Sequence, residues 1–188
     1  MPRLTIIVDA NILFSAPLRD FFMHLGIADA VRLCWSAKIE EEWVRNLIEK
    51  RPDLESSRHY RTARQMNEAI PDALIADFEG LESTLKLPDS SDRHVLAAAI
   101  KANADAIITK NLRDFPNSIL AEYGIKALHP DEFVHELLQL ESMPVLVAIR
   151  ALQVSLKNPP KTMFEVLHTL EEQGLQRSVT LLKEFLDA

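Results

Sequence analysis

The segment LTIIVDANIL, residues 4–13, decides how this chain folds. A run of apolar residues around Thr5 ends abruptly at Asp9, and Asn11 follows almost at once. A continuous apolar run of this length is typical of a strand in a parallel sheet, whose two faces are both covered. Because open α/β sheets bind ligands beyond the carboxyl ends of their strands, Asp9 is expected to face a ligand.

The composition indicates one globular domain with room for an appended subdomain. The chain has 188 residues, of which 47% are hydrophobic and 26% charged, as in ordinary globular proteins. The net charge is −7, whereas a typical nucleic-acid binder carries an excess of basic residues. Cys34 is the only cysteine, which excludes an intramolecular disulfide and a thiolate metal cage, and we interpret it as an apolar filler in a strand.

No secretion or membrane signal is apparent. Residues 1–30 contain charged residues without a long apolar run, and no run approaches the roughly 18 residues of a membrane helix. We therefore expect a cytoplasmic protein that does not enter a membrane.

Strand-like and helix-like segments alternate over the first two thirds of the chain, which predicts βαβ units and a parallel sheet. Further strands are expected at VRLCW, at residues 104–109 and at residues 125–128. Helices are expected from Pro17, after Ser36 to about Lys50, from Pro52 to about Ala69, over ALIADFEGLESTL, and from about Ser91 to Ala102. From Pro130 the pattern is helical, so we predict an α/β domain over residues 1–130 and a C-terminal helical extension over residues 131–188.

Several acids fall where this topology would bring them together. Asp114 follows the strand of residues 104–109, and Asp89 and Asp92 precede the helix that returns the chain to that strand. Two like charges about 4 Å apart repel by roughly 4 kcal/mol at an effective dielectric near 20, so such acids converge only around protons or a cation. Oxygen ligands favour Mg²⁺ or Mn²⁺, which suit phosphodiester hydrolysis by an activated water.

Each acid also has a structural interpretation. Asp9 could cap the first helix, Asp89 and Asp92 could form a reciprocal cap, and Asp114 could form a turn before Phe115. Taken together, their positions at predicted strand ends favour a common site.

Three segments carry a resemblance to a known family: VDANIL, WSAKIEEEW and DSSDRHVLAAAIKANADAIITKNLRDFP. In this order they resemble the PIN-domain nucleases, and within them the VapC-like toxins of bacterial toxin–antitoxin pairs. The resemblance covers about residues 4–130. It implies a three-layer α/β/α fold with a central parallel sheet, an Mg²⁺- or Mn²⁺-dependent endoribonuclease, an RNA substrate and an antitoxin partner.

The resemblance also assigns the site residues. The acids carried over by position are Asp9, Glu42 and Asp92. Asn111 stands where the family often has a fourth acid, so Asp114 is expected to supply that charge. Asn11 matches a polar residue that supports the first acid.

The helix acid is ambiguous from the residues alone. The apolar arc between Ile39 and Ile48 includes Glu40 more than Glu42, whereas the family register favours Glu42. Glu41 is expected to face solvent.

Basic residues around these acids are candidates for contacts with RNA phosphates. Residues 45–64 contain six basic residues against three acidic ones, and three more basic residues flank the proposed acids. The candidates are Arg45, Lys50, Arg51, Arg58, Arg61, Arg64, Arg93, Lys110 and Arg113. A solvated helix face with intrahelical ion pairs is the alternative. The six histidines show no metal-ligand spacing, and we interpret them as structural or surface residues.

Two other classes of protein remain open at this stage. A receiver-like phosphoacceptor domain would also place acids at strand ends with a Thr and a Lys, as Thr109 and Lys110 do here, but Ala10 stands where it needs a second acid. A degenerate PIN fold that only binds a partner would fit the neutral Asn111. A possible homodimer through the C-terminal helices is a further expectation.

Overall fold

The computed structural model describes residues 3–187, so the outer ends of the two predicted domains, residues 1, 2 and 188, lie outside the described residues. Five parallel strands form one sheet in the order β3-β2-β1-β4-β5. The strands are β1 (Thr5–Val8), β2 (Arg32–Ser36), β3 (Leu74–Ile75), β4 (Ala106–Ile108) and β5 (Lys126–Leu128). Helices flank the sheet, which confirms the predicted α/β/α fold.

The helices before β5 connect the strands. They are α1 (Ala10–Phe14), α2 (Ala16–Ile27), α3 (Ala37–Lys50), α4 (Ser56–Ala69), α5 (Glu79–Glu82), α6 (Arg93–Lys101) and α7 (Asn117–Leu120). The C-terminal helices are α8 (Pro130–Leu140), α9 (Ser142–Ser155), α10 (Met163–Glu172) and α11 (Gln176–Asp187).

Strand β1 lies at the centre of the sheet, as its uninterrupted apolar sequence requires. Ile7 pairs with Cys34 of β2 and with Ile107 of β4. Residues Ile6, Ile7 and Val8 are completely buried, and burial of each such side chain contributes about 1.5–3 kcal/mol. Cys34 is buried too, which confirms its interpretation as an apolar filler.

Helices α2 and α3 begin as the sequence predicts. Pro17 lies in the first turn of α2, where its missing N–H costs nothing. Ser36 caps α3 by accepting a hydrogen bond from Ile39 N at 3.3 Å. Helix α1, a single short helix whose N-cap is Asp9, was not predicted from the sequence.

Two helix predictions between residues 52 and 87 need correction, the first in its start and the second in its extent. Helix α4 begins at Ser56 because residues 51–54 form a turn, in which Leu54 N donates a hydrogen bond to Arg51 O at 3.0 Å. The helix predicted over residues 73–85 is instead strand β3 followed by the short α5. Asp77 lies between them with φ 59°, a left-handed conformation that no helix continues through.

The chain enters α6 through a 3₁₀ turn, Ser90–Asp92. Asp89 caps this turn by accepting hydrogen bonds from Ser91 N at 2.8 Å and Ser91 Oγ at 2.7 Å. Asp92 makes no capping hydrogen bond, so the reciprocal cap is absent and its carboxylate is available for another role. The last two strands, β4 and β5, occupy the segments predicted for them.

The C-terminal helices pack onto the α/β core. Helix α9 lies along α2, and α8 packs against α11. The buried Asp131 carboxylate joins the latter two, since it accepts hydrogen bonds from Arg177 N at 3.1 Å and Ser178 N at 2.8 Å. The division of the chain into two domains at residue 130 remains a prediction.

The strand order excludes the receiver-like interpretation, because receiver domains have the flavodoxin-like order 2-1-3-4-5.

Among the described residues, no helix combines the length and apolarity that crossing a bilayer requires.

Candidate active site

A cleft of about 410 Å³ opens at the carboxyl ends of β1 and β4. Three of the acids proposed from sequence line it: Asp9, Glu42 and Asp92. Asn11 and Asn111 add side-chain amides, and Lys50 and Lys110 contribute positive charge. Helices α1, α3 and α6 therefore deliver side chains from distant parts of the sequence to one place.

Asp9 is the best-anchored residue of the cleft. It is only 5% exposed, and its Oδ1 accepts a hydrogen bond from Ala10 N at 2.6 Å. Its Oδ2 accepts from Thr109 Oγ1 at 2.7 Å and from Asn11 Nδ2 at 2.5 Å. Burial raises the pKa of Asp9, and the nearby Glu42 charge raises it further, while the hydrogen bonds oppose this. The carboxylate is thus fixed in orientation, while burial and the Glu42 charge disfavour its ionised form.

Asn11 and Thr109 lock the ends of β1 and β4 together. The Asn11 Nδ2 also donates to Thr109 Oγ1 at 2.9 Å, and Asn11 Oδ1 accepts from Lys110 N at 3.1 Å. Thr109 Oγ1 in turn accepts from Asn111 N at 3.0 Å. The predicted supporting role of Asn11 therefore has a geometric basis, and Thr109 shares it.

Asp92 is half-buried at the start of α6 and surrounded by like charge. Burial raises its pKa to about 7, together with the charges of Asp9, Asp114, Asp89 and Glu42. A carboxyl group perturbed this strongly by neighbouring carboxylates inside a cleft is characteristic of functional sites.

The structure separates the two candidate acids of α3. Glu42 lines the cleft, and its Oε2 lies 3.4 Å from His94 Nε2. Glu40 accepts a hydrogen bond from Asn67 Nδ2 at 2.9 Å, and Asn67 Oδ1 accepts from Trp35 Nε1 at 3.1 Å. Glu40 therefore ties α3 to α4 and β2, which favours Glu42 as the residue of the site. Glu41 is exposed, as expected.

If the cleft cleaves RNA, as the family resemblance implies, Glu42→Gln should reduce cleavage by about 10²-fold, because it removes a charge from the cleft. The stability of the protein should change little. Glu40→Gln serves as the matched control. It should leave cleavage within about twofold and should cost about 1 kcal/mol or less, since its amide oxygen can still accept from Asn67. Cleavage rates and thermal unfolding of both variants test the assignment; the opposite ranking would make Glu40 the helix acid.

Asp114 lies beside Asn111 at the edge of this group. Its Oδ2 accepts a hydrogen bond from Asn111 Nδ2, and its charge contributes to the raised pKa of Asp92. Asp114 follows β4 in a 3₁₀ turn, Leu112–Asp114, and is half-buried. Its predicted role as a cation ligand remains a prediction.

The basic candidates for RNA contacts fall into three groups. Lys50 and Lys110 line the cleft; Lys50 Nζ lies 4.9 Å from the centre of the Phe14 ring, and burial lowers the pKa of Lys110. Arg51 and Arg64 pair with acids of their own segments, Asp53 and Glu68. The other predicted contacts lie on α3, α4, α6 and the 3₁₀ turn after β4: Arg45, Arg58, Arg61, Arg93 and Arg113.

The donor set suits a hard divalent cation, because it consists of carboxylate and amide oxygens. Within residues 3–187, however, no three His, Cys, Asp or Glu side chains are grouped closely enough to hold an ion. The acids share the cleft without forming a closed cage. Binding an ion would therefore require side-chain rotation, which is open to Asp92, whose carboxylate makes no capping hydrogen bond, more than to the hydrogen-bonded Asp9.

The sequence did not predict that Thr109 and His94 contact acids of the cleft. Thr109 is a buried hydroxyl at the end of an apolar strand, and such a group needs a partner, which here is Asp9. His94 follows Asp92 by two residues, but only the packing of α6 against α3 brings it to Glu42. The spacing of histidines along the sequence contains no signal for that contact.

A comparison with known families agrees with the fold. The PIN domain family matches residues 5–113, more than half of the chain. The chain therefore belongs to the PIN domain family, as its motifs predict.

The C-terminal helices have a match of their own. Residues 130–184 match the VapC50 C-terminal domain. A curated protein of Mycobacterium tuberculosis (strain ATCC 25618 / H37Rv), "Putative ribonuclease VapC50", is 43% identical over 82 residues, which are 44% of this chain and 48% of that protein. The chain thus matches about half the length of this relative. No solved structure gives a significant match.

Proposed function

We propose that this protein is a metal-dependent endoribonuclease that hydrolyses RNA phosphodiester bonds with Mg²⁺ or Mn²⁺. The observation that carries the proposal is the convergence of Asp9, Glu42 and Asp92 on one cleft at the carboxyl ends of the central strands. The relationship to the PIN family and to a protein named as a ribonuclease supports the choice of substrate.

The residues of the cleft would bind the metal ion together. Asp9, fixed by its hydrogen bonds, and the less constrained Asp92 and Glu42 would hold the ion, with Asn111 and Asp114 completing the set. When bound, Mg²⁺ or Mn²⁺ activates water and stabilises negative charge that develops on the phosphate. This chemistry needs no side-chain nucleophile.

Lys50 and Lys110 would bind the phosphates on either side of the scissile bond. Phe14 holds the Lys50 ammonium group by a cation–π contact, so this charge is positioned before RNA arrives. Partial burial lowers the pKa of Lys110. A polyanion entering the cleft would supply negative charge.

A cleavage assay tests the activity. We expect single-stranded RNA to be cleaved with Mg²⁺ or Mn²⁺ and to remain intact when a chelator is present. The double variant Asp9→Asn/Asp92→Asn controls for contaminating nucleases. Cleavage by this variant at the wild-type rate, or none by the wild type with either ion, contradicts the proposal.

We expect Lys50→Gln to lower the slope of log K against log salt for RNA binding by about 1, as the loss of one phosphate contact predicts. Arg51→Gln is the matched control, because Arg51 is already paired with Asp53 and should leave the slope unchanged. Binding is measured with a chelator present to prevent cleavage. Equal slopes for wild type and Lys50→Gln would remove Lys50 from the RNA-binding surface.

We also propose that the nuclease is the toxin of a toxin–antitoxin pair and acts on RNA in the cytoplasm. The similarity to a VapC-named relative supports this role and implies an antitoxin protein as partner. Expression should arrest bacterial growth, and co-expression of the neighbouring small gene should restore it. Growth without arrest by an active nuclease would favour a housekeeping role.

A PIN fold that binds without catalysis is the second candidate. The open arrangement of the acids and the neutral Asn111 favour it. It predicts that Mn²⁺ does not bind and that the double variant binds partners as the wild type does.

A further inference from the structure

Helix α9 is apolar on two opposite faces. Its inner face, which includes Val145, Ile149 and Leu152, is buried and packs along α2. On the other face Met143 is 66%, Val147 53% and Val154 67% exposed. A helix with apolar residues on two opposite faces is normally covered on both of them, so the exposed outer face indicates a binding surface.

The exposed residues form one line, which we name the outer stripe: Met143, Val147 and Val154. Their separations of four and seven residues keep them on the same side of the helix. The stripe is about 16 Å long, at 1.5 Å per residue. This length matches about three turns of another helix.

Helix α9 carries one charged residue, Arg150, and Lys157 follows its C-terminal end, although the whole chain has a net charge of −7. No Asp or Glu occurs between residues 142 and 164, whereas Arg150, Lys157 and Lys161 do. Arg150 lies on the stripe itself, between Val147 and Val154. Within the described part of the chain, neither Arg150 nor Lys157 forms an ion pair.

We propose that the outer stripe binds an amphipathic helix of a partner protein whose apolar face is flanked by acidic residues. Apolar residues would cover Met143, Val147 and Val154, and acidic flanks would pair with Arg150 and Lys157. A second copy of this chain fits less well, because a two-fold pairing of the stripes brings two Arg150 side chains together without an acid. The proposal is independent of the nuclease activity, since none of these residues lines the cleft.

Two labelled helical peptides test the proposal by fluorescence anisotropy with the full chain. Both carry leucine at the i, i+4, i+7 and i+11 positions; one has glutamate on the flanks and the other has lysine. We expect the glutamate peptide to bind at least about tenfold more tightly, and the preference to shrink as salt screens it. Equal binding of the two peptides, or binding of neither, overturns the proposal.

Val147→Glu should weaken binding of the glutamate peptide by about tenfold, and Arg150→Glu should remove the preference between peptides. Ile27→Glu is the matched control, because Ile27 is 56% exposed at the end of α2 and should leave binding unchanged. Unfolding and RNA cleavage should be unaffected in all three variants.

Two further results would assign the surface to another occupant. A dimer in sedimentation velocity that Val147→Glu dissociates would make a second copy the occupant. A loss of RNA affinity in Val147→Glu would make it a nucleic-acid surface. Either result overturns the proposal, and neither depends on whether the cleft cleaves RNA.

Discussion

Replacing Asp9 with Asn should reduce RNA cleavage by at least about 10²-fold while the protein remains folded. The carboxylate of Asp9 is the one acid of the cleft whose position is fixed from several sides, by Ala10 N, Asn11 Nδ2 and Thr109 Oγ1. An amide has one oxygen where the carboxylate has two. In Asp9→Asn the NH₂ group therefore replaces one of the two accepting oxygens. It must face hydrogen-bond donors to which it can offer no acceptor.

The stability of this variant should fall only modestly. The lost hydrogen bond costs about 1–3 kcal/mol, and removal of a buried negative charge offsets part of that cost. Asp89→Asn is the control, because Asp89 is an exposed N-cap residue and Asn caps about equally well. Cleavage rates measure the activity of the two variants, and circular dichroism shows whether they are folded. Undiminished cleavage by folded Asp9→Asn would rule out the proposed site.

Replacing Asp92 with Asn should have opposite effects on activity and stability. Cleavage should fall by at least about 10²-fold, because the variant loses a charge that would hold the ion. The metal-free protein should become more stable at pH 8. At that pH the wild type holds Asp92 ionised beside Asp9, Asp114 and Glu42, and the variant is free of this repulsion.

The pH dependence of this gain follows from the pKa of Asp92. The pKa is about 7 in the folded protein and near 3.8 in the unfolded chain, so the folded state binds more protons between these values. Wild-type stability therefore declines as pH rises from about 4 to about 7, and the advantage of Asp92→Asn grows over the same range. Because Asp92 is half-exposed, solvent screening should limit the gain to about 1 kcal/mol, or about 2–4 °C in Tm.

Thermal unfolding at pH 4 and pH 8 without divalent ions tests this prediction. Asp89→Asn serves as the comparison and should show a smaller gain at pH 8, because Asp89 is only one of the charges that raise the pKa of Asp92. Added Mn²⁺ should raise the Tm of the wild type and not that of Asp92→Asn. Equal Tm values of wild type and Asp92→Asn at both pH values would mean that the acids do not repel one another as the structure indicates.

The sequence predicted the parts of the fold that depend on local patterns. The apolar run of β1, the Ser36 cap of α3 and the alanine-rich α6 are signals within one short segment, and each is confirmed. The segment after Pro71 failed because β3 has two residues, which form a strand only by pairing with Trp35 and Ser36 at the sheet edge. A helical pattern of apolar residues gives no indication of that pairing.

The site was predictable to a similar extent. The topology of parallel strands places Asp9 and Asp92 on the same side, and both line the cleft. The apolar arc of α3 could not identify the acid that lines the cleft, because the arc includes Glu40 more than Glu42 and marks the residues that pack against the core. A hydrogen bond from Asn67 gives Glu40 a structural role. Asn67 belongs to α4 and lies 27 residues further along the chain. Contacts between helices likewise decide the position of His94 beside Glu42.

Folding gathers the carboxylates of Asp9, Glu42 and Asp92 in one cleft, and we propose that they share a divalent ion. Calorimetric titration of Mn²⁺ into the wild type and the double variant Asp9→Asn/Asp92→Asn near neutral pH tests it most directly. We predict saturable binding by the wild type and its loss in the folded double variant. Equal binding by both proteins, or no binding by the wild type, would contradict the claim.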